Sequence, residues 1–218
     1  MSTATNKVIK ILKEIGAVIT DDHFVYTSGK HGSVYIRKDK LYPHPLLTSK
    51  ICKLMAKDVQ KWPVEVVVGP MVGGILLSQW VAYHLSILKK KEVMSVFTEK
   101  PPDDKQLFDR AQIFKRGYDS IVKGKNVLVV EDLTTTGESV KKVVNRVREV
   151  GGKVVGVYVL VNRNPKNVNR KFFHSKFRTL AVYKAEAFEE KSCPVCKNGI
   201  PINTEVGHGK EYLAKKKS

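Results

Sequence analysis

The stretch that decides the fold lies between residues 127 and 139 and reads VLVVEDLTTTGES. It follows Asn126, and the strand predicted over 126–130 is almost wholly apolar, which is typical of a strand buried on both faces of a parallel sheet. Two adjacent carboxylates, Glu131 and Asp132, come directly after it. Hydroxyl residues and a glycine then lead into a helix predicted over 137–150. The stretch is therefore one strand–turn–helix unit with an acidic turn.

The same alternation continues on both sides of this unit. The other predicted strands cover 65–68, 92–97, 154–161 and 179–183, and a second helix is predicted over 74–88. This order predicts an α/β fold with a doubly wound, mainly parallel sheet. In such sheets ligands bind outside the carboxyl ends of the strands. We therefore expect the functional residues in the loops after Val68, Phe97, Val130 and Val161.

The flanking segments have a different pattern. Helices are predicted over 8–15 and 46–61, and the residues between them (17–40) contain short β-prone stretches, 24–26 and 34–36, around a basic, glycine-bearing loop. This pattern predicts a hairpin that forms a hood together with the C-terminal tail. The predicted organisation is a main domain over 1–185, which includes the hairpin, and a small appendage over 186–218.

Charge and composition narrow the functional classes. The 218 residues contain 39 Lys and Arg against 21 Asp and Glu, a net charge of +18, so anions such as polyphosphates or nucleic acid are expected partners. Nucleic acid is not favoured, because no basic stripe with interleaved aromatic residues is present. The longest apolar stretch, 154–161, is far short of the ~20 residues of a membrane helix. With three cysteines and no signal-peptide pattern, a cytoplasmic protein is expected.

The acidic turn suits a sugar phosphate. Backbone N–H groups at a helix N-terminus and Thr or Ser hydroxyls can surround a phosphate. Carboxylates just upstream can accept hydrogen bonds from ribose hydroxyls or face a magnesium ion. The alternative is a strand followed by an ordinary Thr/Ser helix cap. A Walker loop is excluded, because Gly-x4-Gly-Lys-Ser/Thr is absent.

At these residues the chain resembles the type I phosphoribosyltransferases, and residues 131–139 resemble that family's signature for 5-phosphoribosyl 1-diphosphate (PRPP). The resemblance implies that Glu131 and Asp132 hold the ribose hydroxyls and that 134–139 hold the 5-phosphate. It also implies that pyrophosphate binds the loop 69–74. The residues expected to bind PRPP are Glu131, Asp132, Leu133, Thr134, Thr135, Thr136, Gly137, Glu138, Ser139, Val72 and Gly73.

Within the family, the chain is most similar to the orotate-using enzymes. The segments 27–30 and 33–36 resemble their base-binding hairpin, and Arg163 follows the 154–161 strand where those enzymes place an arginine. A guanidinium suits a carboxylated, planar base. The expected base-binding residues are Lys30, Tyr35, Ile36, Thr135 and Arg163. The alternatives are a plain solvated turn for the hairpin and a solvated loop position for the arginine.

The chain also departs from the orotate pattern. Gly73 stands where those enzymes usually carry a lysine, Thr27 stands where a lysine commonly precedes Ser-Gly, and the mobile loop begins Glu99-Lys100 rather than Arg-Lys. The cations available in and after this loop are Lys105, Arg110, Lys115 and Arg116. The expected catalytic residues are Lys100, Lys105 and Asp132.

The activity that the resemblance implies is Mg²⁺-dependent transfer of a phosphoribosyl group from PRPP to a nucleobase. With orotate, the products are orotidine 5'-phosphate and pyrophosphate, in pyrimidine nucleotide biosynthesis. Enzymes of this kind are usually homodimers. Two alternatives stay open at this stage: a phosphoribosyltransferase for a purine or for uracil, and a PRPP-sensing regulator that binds RNA or DNA.

A separate motif lies in the appendage, where Cys193-Pro194-Val195-Cys196 and Gly199 resemble half of a zinc ribbon. A structural zinc ion needs a second pair of ligands, for which His208, His174, Cys52 or a second protomer are candidates. The alternatives are a turn without metal and a redox pair. Of the other histidines, His31 is expected to lie near a substrate, and the rest at the surface or in the core.

Overall fold

The computed structural model describes residues 3–26, 28–101, 112–183 and 186–217. The chain divides into two compact units. Unit 1 comprises Met1–Val8 and Tyr42–Tyr183, and unit 2 comprises Ile9–Leu41 and Lys184–Ser218. The hairpin segment and the C-terminal tail thus share one unit, a division that follows spatial contacts and not the sequence boundary at 185.

Unit 1 is built on a five-stranded sheet in which every neighbouring pair is parallel. Its strands are β5 (Val66–Pro70), β6 (Met94–Thr98), β7 (Asn126–Thr134), β8 (Lys153–Asn162) and β9 (Phe177–Val182), in the order β6-β5-β7-β8-β9. The predicted α/β fold with a doubly wound parallel sheet is confirmed. The chain moves outward from β5 to β6, and then from β7 to β9 in the opposite direction. The topological switch point, where such sheets bind ligands, therefore lies between β5 and β7.

The helices of unit 1 are α2 (Pro45–Val59), α3 (Gly73–Lys89), α4 (Tyr118–Val122), α5 (Glu138–Glu149) and α6 (Arg170–Phe173). The buried face of α5 is a valine stripe that packs on the valines of the sheet. All five residues of β5 are buried, as the near-continuous apolar strands predict. This core holds the strand ends, and with them the loops at the switch point, in fixed positions.

Unit 2 has much shorter elements. Strand β1 (Val18–Ile19) pairs antiparallel with β4 (Tyr35–Ile36), and β2 (Phe24–Val25) pairs antiparallel with β3 (His31–Gly32). The predicted pairing of 24–26 with 34–36 is therefore wrong. The turn is tighter than expected, because the Tyr26 N–H donates to the Lys30 carbonyl at 2.8 Å. After β3 the chain continues into β4, which pairs with β1 instead of with β2.

The tail joins this hairpin through the backbone. His31 and Phe188 exchange N–H···O bonds of 2.8 and 2.9 Å, which makes an isolated antiparallel bridge. The remaining helices are α1 (Thr3–Glu14), α7 (Pro194–Lys197) and α8 (Gly209–Lys217). Two 3₁₀ turns lie at Lys38–Lys40 and Glu190–Ser192. Among the described residues, no helix is long and apolar enough to cross a membrane.

Candidate active site

The acidic pair lies at the carboxyl end of β7. Glu131 and Asp132 are 7% and 1% exposed, so both carboxylates are largely removed from bulk water. The Asp132 N–H donates to the Glu131 carboxylate at 2.9 Å, and the Tyr42 hydroxyl donates to Asp132 Oδ2. Burial, followed by the charge of Asp132, raises the pKa of Tyr42 well above its usual range. Tyr42 therefore remains a protonated donor that fixes one oxygen of Asp132.

The hydroxyl residues follow at the start of α5. Thr134 is buried, whereas Thr135 and Thr136 are exposed. The helix is capped by Gly137, at φ +82°, and so no Thr or Ser side chain occupies the cap position. A Cβ at Gly137 would lie 2.7 Å from the Phe172 ring. The interpretation of these residues as an ordinary Thr/Ser cap is therefore wrong, and the hydroxyls lie beside the positive end of a helix, where a phosphate is favoured.

The glycine-rich loop lies after β5, across the switch point from the acidic pair. Met71 and Val72 are half and two-thirds exposed, and α3 begins at Gly73. A Cβ at Gly73 would collide with Asp132 Oδ2 and the Tyr42 hydroxyl. Glycine at this position is thus what lets the loop lie directly against the acidic pair.

The segment after β6 begins with Glu99 and Lys100. Glu99 is 9% exposed and forms ion pairs with Arg116 and, at 3.3 Å, with Lys115. Its backbone also exchanges 2.9 Å hydrogen bonds with Ile113. Two of the four predicted cations are therefore held by Glu99. Lys100 is exposed at the carboxyl end of the sheet, while Lys105 and Arg110 lie outside the described residues.

Arg163 follows β8 directly and lies beside the hydroxyl loop. Its N–H donates to the Thr134 carbonyl at 2.9 Å, and its side chain is partly buried. The Asn162 side chain braces the turn, since it donates to the Val168 carbonyl and accepts from the Asn164 N–H, each at 2.9 Å. Thr135 and Arg163 thus follow the carboxyl ends of two neighbouring strands, β7 and β8, and their contact with a base stays a prediction.

The other predicted base-binding residues belong to unit 2. Lys30 forms a 3.0 Å ion pair with Glu189, the Tyr35 ring packs 5.3 Å from the Phe24 ring, and Ile36 is 5% exposed. Their contact with a base stays a prediction.

The cysteine motif also lies in unit 2, and its neighbours are not those predicted. Cys193 and Cys196 form a cluster with His23 and His31, in which one ligand atom from each residue lies within 4.8 Å of all the others. This cluster does not include His208, His174 or Cys52, and those candidates are wrong. His31 is fully buried within it, so it is not an exposed substrate contact. Burial and the neighbouring Cys193 raise the pKa of Cys196 to about 11.

Sequence reasoning missed two features of these sites. Tyr42 follows Leu41 and precedes Pro43, and nothing in its spacing indicates a contact with a residue 90 positions away. His23 and His31 show no metal-binding spacing, and only the hairpin pairing brings them together. A cavity of about 560 Å³ lies at the opposite edge of the sheet, lined by residues such as Glu65, Lys89 and Asn126, and includes no predicted site residue.

This arrangement, with two buried carboxylates between two helix N-termini at the switch point, is suited to a phosphorylated sugar. Residues 38–188 match the phosphoribosyl transferase domain, and the chain belongs to this family. It is therefore a phosphoribosyltransferase by family, and the resemblance inferred from the motif is confirmed.

Curated relatives cover nearly the whole chain. It is 34% identical to the orotate phosphoribosyltransferase of Caldanaerobacter subterraneus subsp. tengcongensis over 90% of its length and 94% of the relative's. It is 36% identical to the orotate phosphoribosyltransferase of Desulforamulus reducens, over 89% of its length and 93% of the relative's.

A solved structure shows the same fold. The orotate phosphoribosyltransferase of Mycobacterium tuberculosis H37Rv in complex with PRPP aligns with a TM-score of 0.59 at 20% identity, over 82% of this chain and 96% of that one.

Proposed function

We propose that the protein transfers the phosphoribosyl group of PRPP to orotate, giving orotidine 5'-phosphate and pyrophosphate in pyrimidine nucleotide biosynthesis. The observation that carries the proposal is the buried pair Glu131 and Asp132 at the switch point, between the N-termini of α3 and α5. The curated relatives named above, which span most of the chain, support orotate as the base.

The chain's own residues bind and position the sugar phosphate. The Thr134–Ser139 turn takes the 5-phosphate through backbone N–H groups and hydroxyls. Glu131 and Asp132 accept hydrogen bonds from the ribose hydroxyls, and the Tyr42 hydroxyl holds Asp132 in place for this task. The loop 69–74, with Gly73 at the start of α3, binds the pyrophosphate.

In the reaction, a ring nitrogen of orotate attacks C1 of the ribose and forms the C–N bond, and the proton of that nitrogen is released to solvent or to the departing pyrophosphate. The bond from C1 to the pyrophosphate oxygen breaks, and pyrophosphate leaves with the electron pair. Because the transition state is cationic at the ribose ring, nearby carboxylates stabilise it electrostatically. Lys100 and Lys105 counter the charge of the departing pyrophosphate.

A magnesium ion fits the donor set at this edge. The buried carboxylates of Glu131 and Asp132 supply hard oxygen ligands, and Mg²⁺ is commonly held by one or two carboxylates together with substrate phosphates. When bound, the ion neutralises charge on the pyrophosphate.

Orotate is recognised through its carboxylate and its planar ring. Arg163, beside Thr135 at the end of β8, offers a guanidinium that can bind the carboxylate with two parallel hydrogen bonds. Lys30, Tyr35 and Ile36 are proposed to contact the base as well.

The cellular setting follows from simpler features. Three cysteines in 218 residues are too few for a disulfide framework, which is typical of proteins of a reducing compartment and supports a cytoplasmic location. We also expect a homodimer, for which light scattering of the purified chain would give twice the mass of 24.5 kDa.

The experiment is pyrophosphate release from PRPP and Mg²⁺ with one base at a time: orotate, uracil, adenine, hypoxanthine, guanine and xanthine. Release with orotate alone is expected. Release with another base would replace orotate but keep the reaction. No release with any base, despite PRPP binding, would contradict the enzyme and favour a regulator. Salt-dependent binding to RNA or DNA that changes on adding PRPP would support that alternative.

A further inference from the structure

We propose that His23, His31, Cys193 and Cys196 bind one structural zinc ion that fastens the C-terminal tail to the N-terminal hairpin within unit 2. The proposal goes beyond the transfer reaction, since that chemistry needs none of these four side chains. Two thiols and two imidazoles form a donor set that zinc prefers in closed, four-coordinate sites.

The spacing of the ligand atoms suits a tetrahedral ion. His23 Nε2 lies 2.9 Å from His31 Nδ1, and Cys196 Sγ lies 3.4 and 3.2 Å from these two nitrogens. A tetrahedral zinc with ordinary bond lengths separates its ligands by about 3.3–3.8 Å. All four ligand atoms lie within 4.8 Å of one another. Small adjustments of the side chains would therefore complete the coordination.

The hydrogen bonds of the histidines leave coordinating nitrogens directed at the cluster. His23 Nδ1 lies 2.7 Å from the Ile200 carbonyl, and because a carbonyl only accepts, this nitrogen carries the proton. Nε2 of His23 then presents its lone pair to the cluster, which is the usual outer-shell arrangement of a zinc-bound histidine. Among the described residues, the buried Nε2 of His31 has no hydrogen-bond partner. Coordination of zinc through Nδ1 would fix the position of the buried His31 ring.

The cysteines lie on a rigid turn. The Lys197 N–H donates to the Cys193 carbonyl at 3.1 Å, and the Gly199 N–H donates to the Cys196 carbonyl at 3.0 Å. Gly199 has φ +67°, a conformation that glycine adopts readily, and it closes the turn. Cys193, His23 and His31 are each at most 2% exposed, and Cys196 is partly buried. Because all four positions are filled by protein, the ion is structural and not catalytic.

Ligands from distant parts of the sequence give the ion its role. His23 and Cys196 are 173 residues apart, and the His31–Phe188 bridge is one of the backbone contacts that join the tail to the hairpin. Closing so long a loop is entropically costly, and a metal that binds only the folded state offsets that cost. If the proposed function holds, the ion also keeps the hairpin that carries Lys30 and Tyr35 in shape.

The first test measures metal in the full chain, purified under reducing conditions and without substrates. We expect one zinc ion per chain by mass spectrometry of the metal, and the absorption of tetrahedral, thiolate-bound cobalt after exchange with Co²⁺. A reduced wild-type chain that contains no zinc and gives no such cobalt spectrum would overturn the proposal.

Matched substitutions then test the ligands. Cys196→Ala and His31→Asn should each weaken zinc binding by more than about 100-fold, beyond the usual effect of an outer-shell change. The controls are Cys52→Ala and His208→Asn, which lie outside the cluster and should retain one zinc. Retention of zinc with full affinity in the Cys196→Ala and His31→Asn variants would contradict the assignment.

A readout on the wild-type chain covers variants that fail to fold. Cys193 and Cys196 should react with a thiol reagent only after a chelator removes the metal, and added Zn²⁺ should restore protection. Equal reactivity with and without chelator, or a disulfide between the two cysteines as the stable state in reducing buffer, would overturn the proposal. None of these measurements uses PRPP or a base, so they stand apart from the proposed function.

Discussion

The two units of the chain obtain their order from different sources. Unit 1 has strands of five to ten residues and a continuous valine core between the sheet and α5. In unit 2, each strand from β1 to β4 is two residues long. Elements this short bury little apolar surface, and small folds of this kind usually need a disulfide or a metal. The comparison teaches that packing of the sheet positions the residues proposed to bind PRPP, whereas the hairpin is proposed to depend on the Cys/His cluster.

The strongest way to break this comparison is to remove the metal and follow amide hydrogen exchange. The His31 and Phe188 amides, which bond to each other's carbonyls, should exchange at least about 100-fold faster after chelation, because metal binding is coupled to folding. The β7 amides should keep their protection, since the valine core holds that strand. Equal acceleration in β7 would show that the two units do not differ in this way.

The next largest effect is expected from Asp132→Asn, which keeps the shape of the side chain and removes its charge. Hydrogen bonds to charged groups contribute about 1.5–3 kcal/mol, and so the Kd for PRPP should rise about 10- to 150-fold by calorimetry. The melting temperature should change little. Asp119→Asn, on the exposed face of α4, is the control. An unchanged Kd would remove the ribose assignment.

Arg163→Ala tests the base end of the same sheet edge. Loss of the guanidinium should raise the KM for orotate about tenfold or more, with a smaller change in the KM for PRPP. Arg178→Ala, an exposed arginine on β9, should leave both constants near the wild-type values. If both constants also stay constant in Arg163→Ala, this side chain does not contact the base.

Tyr42→Phe tests how the acidic pair is positioned. The lost hydrogen bond frees the Asp132 carboxylate to move but leaves its charge in place, so PRPP binding should weaken less than in Asp132→Asn, by about 2- to 10-fold. Because burial and Asp132 raise the pKa of Tyr42, the wild type should show no change in PRPP affinity from its ionisation between pH 7 and 10. Tyr83→Phe, half-exposed on α3, is the control. An unchanged affinity in Tyr42→Phe would separate Tyr42 from the site.

The smallest effect concerns the opposite edge of the sheet. The Glu65 carboxylate accepts the Asn126 N–H at 2.9 Å, which lowers its pKa and ties the start of β5 to β7. A lowered pKa stabilises the fold above the ordinary value near 4.5, and this contribution is lost as the pH falls below it. Glu65→Gln should cost well under 1 kcal/mol at pH 7 and nothing near pH 3, by thermal unfolding. Glu92→Gln is the exposed control, and a pH-independent loss would contradict the ionic cause.

Much of unit 1 was predictable because its signals are local. Runs of apolar residues and a valine stripe at helical spacing identify the strands and α5 within a few residues, and the acidic turn lies at the strand end where the sequence places it. β7 continues four residues beyond the predicted end at Val130. Most of these four residues are polar, so the apolar pattern ends before the pairing with β8 does. Local patterns are reliable here because each element buries its own apolar surface.

The rest depended on contacts between distant residues. Two-residue strands have no periodicity, and so the register that places Val25 opposite His31 could not be read from the sequence. The contact between Tyr42 and Asp132 and the pairing of Glu99 with Arg116 arise only when separate loops meet at the sheet edge. The histidine partners of Cys193 and Cys196 follow from the hairpin register, which the sequence did not predict.

The bridge between His31 and Phe188 also sets an order of events during synthesis. The ribosome makes the hairpin before any strand of the five-stranded sheet, but its partner in the tail emerges only after every strand of that sheet has been made. Segments generally fold as they become available from the N-terminus. Unit 2 must therefore finish folding after the sheet of unit 1. A chain halted before Phe188 would carry a folded sheet and an incompletely folded hairpin.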